Sequence, residues 1–254
     1  MAEISKTKAA LYARLGQRKM RRRLGLFTAE GTKCVADTLG SFGLEALVAT
    51  PRWLEEHPAL AAVASGRVLE AGPVELARIS TLSTAPDVIA VYSTPVEPEL
   101  PAEALPPRFY LVLDGVQDPG NLGTIVRTAH WFGVDTIFAS CDSADIYGPK
   151  AIQSTMGSVA SVKVIYCDVA ELLERNPRLP VYGLLLGGEN IFAEREGFAP
   201  GFIVMGNEGS GISERVRRLI DRPLTIPPAD PASHPDSLNV AVATAVTLAT
   251  MLKN

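Results

Sequence analysis

Six short apolar segments alternate with helix-like stretches over residues 108–227, and this alternation restricts the possible folds more than any other feature. The segments read RFYLVLDG (108–115), DTIFAS (135–140), VKVIYC (162–167), VYGLLL (181–186), GFIVMG (201–206) and PLTIP (223–227). Strands that are apolar along their length and separated by helices are typical of a parallel sheet covered on both faces. We therefore predict an α/β fold whose C-terminal part holds a mostly parallel sheet with helices on both faces.

A stretch rich in proline and glutamate, STPVEPELPAEALPPR (93–108), divides the chain. It has no apolar periodicity, and prolines at this density give an extended, semi-rigid segment. We predict an N-terminal domain at 1–95, a linker at 96–107 and a C-terminal domain at 108–254. The N-terminal domain is itself predicted to be a smaller α/β unit, with strands around residues 24–31, 44–50, 66–71 and 87–93.

Positive charge is concentrated at the start of the chain. Residues 1–33 carry nine lysines and arginines against two glutamates, or +7, so the remaining residues carry −11 of the total of −4. This distribution favours one local phosphate-binding site over general polyanion binding. The alternatives are a solvated arginine-rich helix and an organellar transit peptide. The candidate phosphate contacts are Arg18, Lys19, Arg21, Arg22 and Arg23.

The three cysteines, Cys34, Cys141 and Cys167, have neither metal-ligand spacing nor even pairing. We predict three small buried side chains, no metal site and a reducing, cytoplasmic location. No apolar run is long enough to span a bilayer, and the N-terminus lacks the apolar core of a signal peptide. We expect no membrane partner.

Three loops at predicted strand ends carry the candidate chemistry, because ligands of open parallel sheets bind at the carboxyl ends of strands. The first loop is DGVQDPGNLGTIVRTA (114–129). We predict a type II turn at Pro119-Gly120 and a helix capped by Asn121. The buried face of that helix is predicted to be Leu122, Ile125, Val126 and Ala129, with Gly123 and Arg127 together on another face.

The second loop, MGNEGSGIS (205–213), holds Glu208 among three glycines that allow close approach to main-chain groups. Its spacing matches neither a dinucleotide-binding fingerprint nor a Walker loop. The third loop lies in IPPADPASHPDSLNVAVATAVTL (226–248), where we predict Ser237 as the cap of the closing helix. The apolar stripe of that helix is predicted to comprise Leu238, Ala241, Val242, Ala245, Leu248, Ala249 and Leu252.

These loops resemble the three ordered motifs of the SpoU (TrmH-type) RNA ribose 2′-O-methyltransferases of the SPOUT class. The motifs are Asn121-x-Gly123-x-x-x-Arg127, Gly206-Asn207-Glu208-Gly209-x-Gly211, and Ile226-Pro227 followed by Ser237-Leu238-Asn239. The third motif departs from the family pattern, since Pro228 replaces a methionine, a glycine is absent and the loop is longer. The segment RRRLGLFTAEGTKCVADTL resembles the L30e-like substrate-binding domain often joined to this family.

The resemblance implies a deep C-terminal trefoil knot, a homodimer with the site at its interface, and S-adenosyl-L-methionine (AdoMet) as cofactor. It assigns Gly206, Ile226 and Leu238 to AdoMet binding. It assigns the polar catalytic cluster to Asn121, Arg127, Glu208, Ser237 and Asn239. The implied reaction is 2′-O-methylation of structured RNA, with 23S ribosomal RNA favoured over transfer RNA by the L30e-like domain.

Two other classes of function remain open at this point. A nucleotide-cofactor oxidoreductase would bind a nicotinamide dinucleotide in the glycine-rich loops, and a non-catalytic protein that retains the fold would bind RNA without transferring methyl groups. The polar cluster disfavours the second, because a disused site does not need all of its members. The histidines fit no catalytic pattern, although His234 lies in the unusual third loop.

Overall fold

The computed structural model describes residues 2–64, 66–96, 100, 104–230, 232–233 and 235–252. The chain divides into two compact units, and each is described by itself. The first comprises Met1–Val96 and Asp145–Ala160, and the second comprises Glu97–Ala144 and Ser161–Asn254. Six residues of the predicted linker, 97–99 and 101–103, lie outside the described residues, as does His234.

The first unit is a mixed sheet with helices. Its strands are β1 (Ala2–Glu3), β2 (Leu26–Glu30), β3 (Leu44–Ala49), β4 (Val68–Glu70) and β5 (Val88–Ser93). Its helices up to residue 96 are α1 (Lys6–Ala13), α2 (Arg18–Leu24), α3 (Thr32–Thr38), α4 (Pro51–Glu56), α5 (Pro58–Val63) and α6 (Pro73–Ile79), with a 3₁₀ helix at Arg14–Gly16. The strand order is β1-β4-β3-β5-β2, and β5 runs antiparallel to both of its neighbours. The predicted strands of this domain are all present.

The second unit confirms the parallel sheet. Its strands are β6 (Tyr110–Asp114), β7 (Thr136–Ser140), β8 (Lys163–Cys167), β9 (Val181–Asn190), β10 (Phe202–Gly206) and β11 (Arg222–Thr225). Their order is β11-β9-β10-β6-β7-β8, and every neighbouring pair is parallel. Its helices are α7 (Pro119–Trp131), α9 (Val169–Glu174), α10 (Glu214–Arg217) and α11 (Val240–Met251), with a 3₁₀ helix at Ile191–Ala193.

The core of the second unit explains why its strands are apolar throughout. All five residues of β6 are buried, so that side chains of both alternating orientations are covered. Tyr110, Phe138 and Phe202 stack beside one another across three adjacent strands, with ring centroids 5.7–6.5 Å apart. Each central strand is therefore held between two packed layers, as the sequence predicts.

Helix α7 buries the predicted face but begins earlier than predicted. Leu122, Ile125, Val126 and Ala129 are all fully buried. The helix starts at Pro119, however, and its cap is Asp118, whose carboxylate accepts the main-chain N–H of Asn121 at 2.8 Å. The predicted type II turn and the predicted Asn121 cap are therefore wrong, because proline also suits the first position of a helix.

The buried face of helix α11 differs from the predicted apolar stripe. Ala241 and Leu248 are buried as expected, but Val242 is 51% exposed and Ala249 is exposed as well. Thr244 and Thr247 are buried in their place, and their hydroxyls donate to main-chain carbonyls one turn earlier. A threonine that satisfies its hydroxyl within the helix can pack against a core, so residue polarity misidentified the buried face.

Asp145–Ala160 leaves the second unit after β7 and returns before β8. It contains α8 (Pro149–Thr155) and a 3₁₀ helix at Ser158–Ala160. No change of composition marks this segment in the sequence, yet it packs within the first unit. Among the described helices, none is both long and apolar enough to cross a bilayer.

Candidate functional site

The three candidate loops follow strands whose carboxyl ends lie at one edge of the second sheet. The first loop follows β6, the second follows β10 and the third follows β11. Strands β6 and β10 are direct neighbours, and β9 separates β10 from β11. Parallel strand order therefore accounts for the convergence of segments that lie far apart in the sequence.

A chain of side-chain hydrogen bonds joins the three loops. The Asn121 amide nitrogen donates to Glu208 Oε1 at 2.8 Å, and the Asn239 amide nitrogen donates to Asn121 Oδ1 at 3.0 Å. Asn239 Oδ1 in turn accepts the main-chain N–H groups of Ala241 and Val242. This series of hydrogen bonds thus runs from the start of α11, through the first turn of α7, to the carboxylate of the second loop.

Asn207 organises the loop that carries Glu208. Its Oδ1 accepts the N–H groups of Gly209 at 2.8 Å and Ser210 at 3.0 Å, and its amide nitrogen donates to the Gly115 carbonyl at 2.7 Å. Its main chain also exchanges two hydrogen bonds with Gly211. Asn207 was quoted in the second motif but given no role, because the sequence does not show that one amide closes a turn and ties it to β6.

Two further polar groups fix the edge of the sheet. Asp114, which is buried at the end of β6, accepts the Ser213 N–H at 2.6 Å. The Ser140 hydroxyl, at the end of β7, accepts the Gly115 N–H at 2.8 Å. Both side chains hold main-chain segments in place, and a strand-terminal aspartate is the signal that could have found the first of them.

A cavity of about 850 Å³ lies beside the polar chain. A volume of this size is in the range that binds a cofactor or a drug-sized molecule. Its walls combine apolar side chains of β9 and β11 with the glycine-rich loop. The predicted site residues among its lining are Gly206, Glu208, Ile226, Ser237 and Leu238.

Gly206 is required by the loop itself. A Cβ atom at this position would lie 2.4 Å from the carbonyl carbon of Gly211 and the nitrogen of Ile212. Atoms cannot approach that closely, so a side chain here would push the returning strand of the loop away. Gly206 therefore lets the beginning of the loop lie close to residues 211–212 at its end.

Two predicted site residues differ from expectation in their position or contacts. Ser237 is exposed and lines the cavity, but the cap of α11 is Asn239, so the predicted Ser237 cap is wrong. Both residue types cap helices well, and the sequence could not choose between positions two residues apart. Arg127 is exposed, lies outside the lining of the cavity, and makes no hydrogen bond or ion pair with a described residue.

Arg217 is a candidate that sequence reasoning missed. It lines the cavity and has no acidic partner among the described residues. The arginines around it are all neutralised: Arg215 pairs with Asp168, Arg218 with Glu214, and Arg222 with Glu189 and Glu194. Four arginines lie within the eight residues 215–222 and look alike in the sequence, so only their partners in the structure distinguish them.

A smaller cavity of about 280 Å³ lies at the ends of β6, β7 and β8, and both Cys141 and Cys167 line it. Burial raises the pKa of the Cys167 thiol to about 12, and it likewise raises the pKa of Cys34 to about 11. Cys141 is exposed, so the prediction of three buried cysteines is wrong for this residue. No disulfide joins the three cysteines, all of which are described.

The basic residues of the first unit lie mainly on α2. Lys19, Arg22 and Arg23 are exposed, and their spacing of three and four residues places them on one helical face. Arg18 is half-buried. Arg21 is 6% exposed, and its guanidinium is bound to Asp145 and to two main-chain carbonyls. Its expected contact with phosphate is therefore corrected, because its donors are already used inside the protein.

The described residues contain no group of three or more histidine, cysteine, aspartate or glutamate side chains arranged to hold a metal ion. Within the same residues the candidate site is built from amides, the carboxylates of Glu208 and Asp236, the Arg217 guanidinium, hydroxyls and main-chain groups.

Sequence models of two families match the chain. The model of the SpoU rRNA methylase family matches residues 108–249, and that of the MRM3-like substrate-binding domain matches residues 8–90. A relative from Bacillus subtilis, the 23S rRNA (guanosine(2553)-2′-O)-methyltransferase RlmP, is 34% identical over 144 residues. That match covers 55% of this chain and 56% of the relative, so the chain spans about half the length of that protein.

Solved structures are similar over the full length of the chain. A protein of the TrmH family of RNA methyltransferases from Porphyromonas gingivalis has a TM-score of 0.84 and 35% identity, with 98% of each chain covered. An AdoMet-bound rRNA methyltransferase from Sinorhizobium meliloti has a TM-score of 0.81 and 26% identity, covering 99% of this chain and 96% of that one.

Proposed function

Since this chain belongs to the SpoU rRNA methylase family, we propose that it transfers a methyl group from AdoMet to a ribose 2′-hydroxyl of ribosomal RNA. The family resemblance predicted from the three motifs is confirmed, and so is the N-terminal substrate-binding domain predicted from the segment RRRLGLFTAEGTKCVADTL. The single observation that carries the proposal is the hydrogen-bonded chain of Asn121, Glu208 and Asn239 beside the 850 Å³ cavity. It unites one residue from each of the three motifs.

The cavity has the properties that AdoMet requires. Its apolar walls, which include Leu184, Ile226 and Leu238, suit the adenine ring. Arg217 offers an unpaired guanidinium to the methionine carboxylate, and Asp236 offers a carboxylate to the ammonium group. We therefore place AdoMet in this cavity, with Gly206, Ile226 and Leu238 as contacts. The amino-acid end of the cofactor then lies on the side lined by charged residues.

AdoMet supplies an electrophilic methyl group on a sulfonium sulfur. A ribose hydroxyl attacks such a group well only when it is aligned with the departing sulfur and can lose its proton. Glu208 uses one carboxylate oxygen to hold Asn121, and its Oε2 makes no hydrogen bond with a described residue. We place the substrate hydroxyl at this oxygen, which orients it and can accept its proton. Ser237, which lines the cavity, and Asn239, which is bonded to Asn121, supply the other polar groups of the site.

Arg127 serves best as a phosphate anchor. A guanidinium is almost never deprotonated in proteins, so it is a poor candidate for the base. It is exposed on α7 and unpaired among the described residues, which suits a contact with the RNA backbone next to the target nucleotide. Its positive charge would also favour the developing alkoxide.

RNA is proposed to bind the exposed face of α2. Lys19, Arg22 and Arg23 share that face, and among the described residues none of them has an ion-pair partner. Three like charges on one short helix repel each other, and a polyanion removes that repulsion. The match to the SpoU rRNA methylase family favours ribosomal RNA, in line with the activity named for the Bacillus relative.

We further propose that the protein is a homodimer with a C-terminal trefoil knot. Helix α11 packs against α7, β10 and the 3₁₀ helix at Ile191–Ala193, yet its opposite face remains apolar and exposed at Val242 and Ala249. A second copy would cover this face and would supply the Arg127 that lies outside the cavity of its own chain. We place the protein in the cytoplasm, where an exposed Cys141 stays reduced.

Labelled methyl transfer tests the function. The protein is incubated with tritiated AdoMet and with unmodified 23S rRNA or tRNA, and the RNA is then digested to nucleosides. We expect label in one 2′-O-methylnucleoside from the 23S rRNA. Label in a methylated base would contradict the reaction type, and label in tRNA alone would contradict the substrate. Binding of NAD without AdoMet binding would favour the oxidoreductase alternative.

A further inference from the structure

The segment 145–160 interrupts the sequence of the methyltransferase domain but completes the first unit. The Tyr147 ring lies 4.8 Å from the Phe27 ring of β2, measured between centroids. Gly157 has a φ of +86°, and a Cβ atom there would lie 2.4 Å from the Cβ of Asp37 on α3. The segment is therefore closely packed onto the unit that carries the basic helix α2.

The strongest polar link in this packing is made by Arg21 and Asp145. Arg21 donates to Asp145 Oδ2 from Nε at 3.1 Å and from Nη2 at 2.6 Å. Its Nη1 donates to the carbonyls of Leu15 at 2.8 Å and Gly16 at 3.0 Å. The other Asp145 oxygen accepts the Tyr147 N–H at 3.0 Å. The side chains of Arg21 and Asp145 are only 6% and 17% exposed, respectively.

Arg21 thus fastens three pieces of chain together: α2, the 3₁₀ helix at Arg14–Gly16, and the segment 145–160. Helix α2 has only seven residues, and its exposed face carries Lys19, Arg22 and Arg23. A helix this short is marginal by itself, and like charges three and four residues apart weaken it further. Its position and its helical state must therefore be held from the buried side, where Arg21 lies.

We propose that Asp145 is a positioning residue for RNA binding, which fixes the basic face of α2 through Arg21 without touching RNA itself. The RNA-binding part of this inference rests on the proposed function. The inference goes beyond the family match because that match assigns residues 8–90 to the substrate-binding domain, whereas Asp145 comes from the stretch matched as methylase.

Removal of the Asp145 charge distinguishes a positioning role from simple electrostatics, because the two hypotheses predict changes in RNA affinity of opposite sign. If Asp145 only adds negative charge near a basic surface, Asp145→Asn increases RNA affinity. If Asp145 holds α2 in place, the same substitution decreases affinity, although the protein becomes more positive. Arg21→Lys and Arg52→Lys form a second, charge-conserving pair. A lysine cannot reproduce the four-contact fork of Arg21, but at exposed Arg52 it can still pair with Glu56.

The experiment uses the full-length protein in three readouts: RNA affinity across a salt titration, hydrogen–deuterium exchange of residues 18–24, and AdoMet affinity by calorimetry. For Asp145→Asn and Arg21→Lys we expect about tenfold weaker RNA binding, a shallower salt dependence and faster exchange in α2. AdoMet affinity stays unchanged, which shows that the second unit is folded, and slow amide exchange in β3 and β5 shows the same for the first unit. Arg52→Lys, and Glu56→Ala at the same exposed Arg52–Glu56 pair, stay within about twofold of the wild type.

Unchanged or tighter RNA binding by Asp145→Asn would overturn the proposal. Unchanged amide exchange in α2 would also overturn it, and this holds whether or not the protein binds RNA. Failure of the wild type to bind RNA would instead count against the proposed function, with the exchange data still deciding whether Asp145 holds α2. Loss of AdoMet binding in the variant would point to global unfolding and would contradict a local positioning role.

Discussion

The side-chain amide of Asn121 has a defined orientation, because its two ends face different partners. Its nitrogen must point to the Glu208 carboxylate, which cannot donate, and its oxygen faces the amide nitrogen of Asn239. The Asn239 amide is oriented in turn, because its oxygen caps α11. A carboxylate oriented through two fixed amides is preorganised for the substrate, which is how a hydrogen-bonded site lowers a reaction barrier.

Replacing Asn121 with alanine tests this preorganisation. We expect kcat to fall about 100-fold, since Glu208 loses its orientation. The Kd for AdoMet should stay within about threefold, since Asn121 does not line the cavity. Single-turnover methyl transfer and calorimetry measure the two quantities. Thr124→Ala is the control, because this exposed hydroxyl one turn later donates only to the Gly120 carbonyl among described atoms. An unchanged kcat would contradict the role of these hydrogen bonds in orienting Glu208.

Arg217 and Arg218 form a natural pair for testing the cofactor. Arg217 lines the cavity unpaired among described residues, whereas Arg218 is exposed and pairs with Glu214. We expect Arg217→Ala to weaken AdoMet binding at least tenfold, because a charge-assisted contact with the carboxylate is lost. Arg218→Ala should have no measurable effect. Binding of 5′-methylthioadenosine, which lacks the carboxylate, should not change in either variant; equal losses for both ligands would refute the assignment.

At the scale of elements, the glycine-rich loop depends on its first glycine. Gly206→Ala would place a methyl group against the main chain of residues 211–212. We expect AdoMet affinity to fall about tenfold as the loop opens. Gly209→Ala is the matched control, because its Cβ would make an ordinary contact, 3.5 Å from Asn207 Oδ1. Calorimetry measures the AdoMet affinity of both variants. Wild-type affinity in Gly206→Ala would contradict the prediction, because the loop would then tolerate the added methyl group.

The strands were predictable from the sequence, whereas the helix ends at the site were not. Continuous apolar runs admit few structures other than buried strands, so all six strands of the second unit were anticipated. The starts of α7 and α11 were misplaced because Asp118 and Asn121, or Ser237 and Asn239, cap helices about equally well. Only tertiary contacts choose between them, as when Asn121 bonds to Glu208 instead of to its own helix.

The buried face of α11 was unpredictable for a different reason. Its residues are apolar or small all round, so no polar side marks the direction of solvent. The segment 145–160 was equally hidden, since the ion pair that ties it to the first unit joins residues 124 positions apart. The convergence of Asn121, Glu208 and Asn239 was expected from the family motifs, but the partners of Arg21 and Arg217 required coordinates.

At the scale of the whole molecule, the exposed side of α11 predicts self-association. Val242→Glu places a charge on this apolar face, and we expect it to convert a dimer to a monomer in sedimentation equilibrium, with loss of methyl transfer. Val63→Glu is the control, because Val63 is 63% exposed but lies in the first unit. A wild-type protein that sediments as a monomer would contradict the proposed dimer.

The central claim is that AdoMet binds in the large cavity, which the second and third loops form with β9, beside the hydrogen bonds that join the first loop to them. Photocrosslinking of methyl-labelled AdoMet, followed by peptide mapping, tests it most directly. We predict label in peptides that contain residues 184–187, 205–212, 223–226 or 236–243, segments that include lining residues of the large cavity. Label confined to the smaller cavity, at residues 140–141 and 167–170, would contradict the account.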